Sequence, residues 1–83
     1  MTVHAQNAVA PATLERFREL RAGSPDRLDA AGAKTLLREL KAVGGDLRAL
    51  RLALTGRESG AALWVELAAL DRDDALARVD AAL

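Results

Sequence analysis

From Pro11 onward the leucines and alanines recur at spacings of three and four, and each run is soon broken by a glycine, a glycine pair, Pro25 or an aspartate. That spacing is the period of one helix face, and the breaks keep each helix short. Phe17 and Trp64 are the only aromatics and β-branched residues are scarce, so close packing of small helices is favoured over a sheet. An all-α bundle of about five short helices follows, in 83 residues that suffice for one small domain.

The run Leu50–Gly60 tests this reading. Leu50, Leu52 and Leu54 alternate as a strand would, while Leu47, Leu50 and Leu54 also satisfy the helical i, i+3, i+7 pattern. Ala and Leu are better helix than strand formers, and Leu47-Arg48-Ala49 extends the helical pattern upstream. A helix is therefore expected over residues 46–55, with Gly56 as its left-handed cap.

The other elements follow in order. Residues 1–10 show no periodicity and are expected to be disordered, leaving residues 11–83 as the helical domain. Pro11 suits a first turn, and Leu14, Phe17 and Leu20, with Arg21, form a stripe beside a charged face where Glu15 can pair with Arg18. Gly23-Ser24-Pro25 ends that helix. Asp29 is the N-cap of the second, with Leu28 as a staple residue, and Gly32 leaves room for a close neighbour. Ala33, Leu36, Leu37, Leu40 and Val43 give its apolar stripe, and Lys34, Arg38, Glu39 and Lys41 its solvated face. Gly44-Gly45 ends it, and Asp46 caps the third helix.

Ser59 is expected to cap a fourth helix from Gly60 to Leu70, with Leu63, Leu67, Leu70 and Trp64 inward. Asp71 caps the fifth, Asp73 and Asp74 complement its dipole, and Leu76, Val79 and Leu83 face inward. The crowded carboxylates Asp71–Asp74 thus have a capping role before any catalytic one.

Composition narrows the chemistry. There is no cysteine or tyrosine, and the single histidine, His4, lies in the aperiodic N-terminus and reads as a surface imidazole. No metal, cofactor or catalytic constellation is expected. Thr55–Gly60 lacks the Gly-Lys-Ser/Thr ending of a phosphate-binding loop. No run approaches the roughly 18 apolar residues of a membrane span, and residues 1–10 lack the pattern of a signal peptide, so a cytoplasmic location is expected.

Net charge is zero, but residues 1–60 hold ten Lys/Arg against seven Asp/Glu, and residues 61–83 two against five. Charge alone would support only weak RNA binding. Arg48, Arg51 and Arg57, with Lys41 just upstream, have the functional groups to hydrogen-bond or stack on unpaired bases. The same residues also read as a solvated face paired with Asp46 and Glu58.

Leu50-Arg51, Ala53-Leu54-Thr55-Gly56, Leu63-Trp64 and Ala75-Leu76-Ala77-Arg78 together resemble the C-terminal anticodon-binding helical subdomain of bacterial glutamyl-tRNA synthetases. The resemblance covers about residues 26–83. Ala61 and Ala49 stand where that family has prolines. The resemblance implies a non-catalytic, anticodon-binding-domain-like module, as a free-standing paralogue or a fragment, with no room for the synthetase's nucleotide-binding domain.

By the same resemblance, Arg51 would bond an anticodon base, Gly60, Ala61 and Leu63 would lie against it, and Arg48, Arg57 and Lys41 would meet phosphates. The implied partner is tRNA, glutamate tRNA in particular. The alternative is a truncated duplicate that contacts a protein partner, such as a synthetase, through the former RNA face.

Overall fold

The computed structural model describes residues 9–83. It is all-helical: α1 Val9–Ala22, α2 Ala30–Ala42, α3 Leu47–Thr55, α4 Leu63–Ala69 and α5 Arg72–Ala82. Val9 and Ala10 are helical, so α1 begins two residues before Pro11, which sits in the first turn where no helical N–H is required. The rest of the segment expected to be disordered, including His4, lies outside the described residues. None of the described helices is long and apolar enough to cross a membrane.

Local chemistry sets most helix ends. Asp29 accepts from Gly32 N at 2.7 Å, Asp46 from Arg48 N and Ala49 N at 3.1 and 3.2 Å, and Asp71 from Asp74 N at 2.7 Å. Gly44 N bonds Lys41 O at 3.0 Å and Gly45 N bonds Leu40 O at 2.9 Å, the paired pattern that closes a helix through a left-handed residue. Gly44 supplies that residue at φ 78°, and Gly56 ends α3 at φ 74°. A Cβ on Gly45 would lie 2.7 Å from Leu40 O, so this approach needs a glycine. At Gly32 the close neighbours are Asp29 and Leu28 of its own cap, 3.1 and 3.3 Å from where a Cβ would sit.

All five helices contribute to one core. Leu14 and Phe17 of α1, Ala33, Leu36 and Leu40 of α2, Leu50 and Leu54 of α3, Leu67 of α4, and Ala75 and Val79 of α5 are buried, joined by Leu28. The α2 stripe stops at Leu40: Val43, which ends the helix before the glycine pair, is 69% exposed. In α5 the inward residues are Ala75 and Val79, four apart, while Leu83 beyond the helix is 48% exposed. The small Ala75 permits a close crossing that Leu76, half-buried on the flank, does not make.

α4 also differs from the expectation. It starts at Leu63, its N-cap is Ala62, and no side chain caps it. Ser59 lies three residues too early, since the loop through Gly60 at φ 145° delivers the chain to the helix only after Ala61. Nor does Arg18 pair with Glu15. Its guanidinium reaches Asp80 of α5 at 2.9 Å, whereas Arg16 pairs with Glu19 at 3.1 Å.

Arg21 is fully buried, despite its charge. The turn after α1 explains this, because Arg21 donates to Ser24 Oγ at 2.8 Å, to Pro25 O, and to Asp26 O at 2.8 Å. Arg72, at the start of α5, bonds the same turn through its backbone N to Asp26 O at 2.8 Å and through Nη1 to Ser24 O at 3.2 Å. Burial, and then the neighbouring Arg72 guanidinium, push the Arg21 guanidinium below its ordinary pKa.

Replacing Arg21 by Met keeps a long side chain but takes this donor from Ser24 Oγ and Pro25 O, while Asp26 O keeps Arg72 N. Urea unfolding of Arg21→Met should show a loss of about 3 kcal/mol, since buried groups left unpaired cost about 1–3 kcal/mol each. Equal or greater stability would remove Arg21 as the tie of the turn. Leu50→Ala should cost about 2–5 kcal/mol in the same assay through its cavity.

Candidate functional site

The residues expected to meet RNA fall on α3 and the loop that follows it. Leu50 and Leu54 point into the core, and Arg48, Arg51 and Thr55 come around the remaining faces of the same short helix. Thr55 roots the loop. Its hydroxyl lies within donating distance of Arg51 O and Arg57 O, at 2.9 and 3.1 Å, and accepts from Arg57 N at 3.0 Å. The carboxyl end of α3 is held from the other side by Arg78 Nη1, which donates to Leu54 O at 2.7 Å.

Three arginines then grip this loop or the helix after it. Arg51 Nη1 donates to Ala61 O at 2.8 Å, so the loop residue and the α3 arginine that the resemblance singles out are in direct contact. Arg48 bonds Glu58 Oε1 through Nε at 3.1 Å and through Nη2. Arg57 Nη2 lies 3.6 Å from Glu66 of α4. The expected pairing with Glu58 is therefore made by Arg48, while Asp46 is occupied capping α3.

Leu63 opens α4 two residues beyond Ala61 and is partly buried against the core. Gly60 is exposed, and its φ of 145° is a conformation that L side chains rarely adopt. Lys41 sits on another element, exposed in the last turn of α2, and takes no part in the contacts that tie α3, the loop and α4 together.

Charge on this edge is largely answered from within. The Arg48 guanidinium, hydrogen-bonded to Glu58, is raised above its ordinary pKa, and Glu58 is lowered below the usual carboxylate range by the same contact. Both side chains are more than half exposed, so the pair is a solvent-screened surface contact that can exchange. Arg51 is different, because one Nη1 contact leaves the other N–H groups of its planar fork available.

The pairing of Trp64 is not visible in sequence spacing. Lys34 of α2 stands over its ring, with Nζ 4.6 Å from the centroid, and Trp64 directly follows Leu63. Among the described residues no group of three or more His, Cys, Asp or Glu side chains could hold a metal ion.

No family model, curated protein or solved structure matches this chain. The likeness to glutamyl-tRNA synthetases therefore stands on the Leu50–Gly60 residues, Leu63-Trp64 and Ala75–Arg78 alone.

The Arg48–Glu58 pair yields a pH test with a definite sign. Glu58 has a folded pKa below its unfolded value, so the pair contributes fully above the unfolded glutamate range and is lost as pH falls through the folded pKa. An NMR titration of the Glu58 carboxyl carbon should give a midpoint below that of an unstructured glutamate, and Arg48→Ala should return it to the ordinary value. An unchanged midpoint in that variant would show that the contact does not persist in solution.

Proposed function

We propose that this chain is a non-catalytic helical module, acting in the cytoplasm, that binds tRNA weakly through the α3–α4 edge. The observation that carries the reading is the hydrogen bond from Arg51 to Ala61 O, which sets the guanidinium fork beside the loop backbone two residues before Leu63. A base entering this edge would find the unused Arg51 N–H donors on its hydrogen-bonding edge and Leu63 against its face. Arg48 and Arg57 would reach phosphates by exchanging Glu58 and Glu66. Glutamate tRNA is the preferred ligand by the resemblance.

Nothing in this mechanism calls for a nucleophile, a metal or a cofactor. The function is recognition, and its strength would come from a few contacts on a chain with no net charge.

One observation favours a second reading. Arg48 and Arg57 are both paired with carboxylates, which leaves an edge closer to neutral than phosphate binders usually present. A protein partner such as a synthetase would suit that edge.

Titration with total tRNA, followed by amide NMR at low and moderate salt, separates the two. Signals of Arg51, Ala61 and Leu63 should shift at low salt and shift less as salt rises. Arg51→Ala should weaken binding by about 1–3 kcal/mol, the worth of a base contact. If those signals stay fixed at low salt, the RNA reading fails and the protein-partner reading stands.

A further inference from the structure

Three cations that take part in no ion pair among the described residues share one side of α2. Lys34, Arg38 and Lys41 lie at i, i+4 and i+7, all exposed, and at 3.6 residues per turn they fall within roughly 60° of one another around the helix axis. None of the three takes part in any of the ion pairs among the described residues. Glu39, the only acid within α2, is turned away by at least about 100° and lines the opposite flank, beside Leu20, Leu28 and Leu36. Glu66, the acid of the packed helix α4, is held by Arg57.

The row is also anchored. Arg27 Nη1 donates to Ala69 O at 3.3 Å near the end of α4, and Lys34 stands over Trp64 near its start, so the two segments run in opposite directions. Arg38 and Lys41 extend the row past Trp64, the residue next to Leu63. At 1.5 Å per residue the charges span roughly 10 Å, enough to meet successive phosphates of one strand.

We infer that Lys34, Arg38 and Lys41 form a track for the sugar-phosphate backbone of single-stranded RNA, adding phosphate affinity to that of Arg48 and Arg57, each of which must first give up a glutamate. This inference rests on the RNA reading above, which it deepens by dividing the labour. Arg51, Ala61 and Leu63 meet a base, while α2 holds the strand. RNA is favoured over an acidic protein segment because Lys34, in the row, stands over Trp64, the residue that directly follows Leu63 of the base-contacting edge.

Fluorescence anisotropy with a labelled single-stranded RNA oligonucleotide tests it over a series of salt concentrations. Because both residues are exposed, Arg38→Gln/Lys41→Gln should keep the wild-type melting curve and lose affinity about tenfold at low salt. Its plot of log affinity against log salt should flatten by about 1.4, two phosphate contacts at 0.7 each. Arg48→Gln should change that slope much less, and Arg51→Ala should weaken binding without an equal change in slope.

Wild-type binding with an unaltered slope in the double variant overturns the track and leaves the Arg51 reading intact. A flattened slope together with normal affinity in Arg51→Ala supports the track and overturns the base contact. If the wild type binds no RNA at low salt, both fall, and binding of a poly-glutamate peptide in its place would assign the row to an acidic protein.

Discussion

Two arginines, Arg21 from within the turn after α1 and Arg72 from the start of α5, hold that turn in place. The turn after α1 exposes carbonyl oxygens to the interior, and acceptors there need donors, because an unpaired buried acceptor loses its water without compensation. Arg21 serves Ser24 Oγ and the carbonyls of Pro25 and Asp26, and Arg72 brings the start of α5 to the same turn. One guanidinium thus sets how α1 leads into α2, and the second sets where α5 begins. The core from Phe17 to Val79 closes around that arrangement.

A second long-range tie acts at the other end of the bundle. Asp46 N donates to Thr13 Oγ1 at 2.8 Å, holding the start of α3 against α1 while the Asp46 carboxylate caps α3. With Arg78 on Leu54 O at its far end, α3 is fixed at both termini. A helix this short has little stability of its own, so its position comes from these partners and from Leu50 and Leu54 in the core. The loop carrying Gly60 and Ala61 therefore starts from a rigid root, and Arg51 holds it by a single hydrogen bond.

The electrostatics divide along the same lines. Around the loop, arginines and glutamates answer one another, and the edge presents hydrogen-bonding groups more than net charge. On α2 the cations stand without acids beside them, since the helix period sends Glu39 to the opposite flank. A chain with no net charge can in this way carry a locally basic face.

What the sequence determined by itself is what lies within about one helical turn. Asp29, Asp46 and Asp71 cap helices because the N–H groups they accept from are two or three residues ahead, and Gly44 and Gly56 end helices because only glycine enters the left-handed region without cost. The helical class and the outline of the core follow from the same short-range period. Val43 and Leu83 kept that period yet stand exposed among the described residues.

Only the tertiary structure decided the partners. Arg48 and Glu58, Arg51 and Ala61, and Arg18 and Asp80 are separated by ten, ten and 62 residues, distances over which no local pattern sets a contact. Ser59 had the chemistry of a cap and lost the role because the loop geometry begins α4 at Leu63. Arg51 and Leu63 were legible as candidates from residue type, but which cations stay unpaired depends on where the packed helices place the acids.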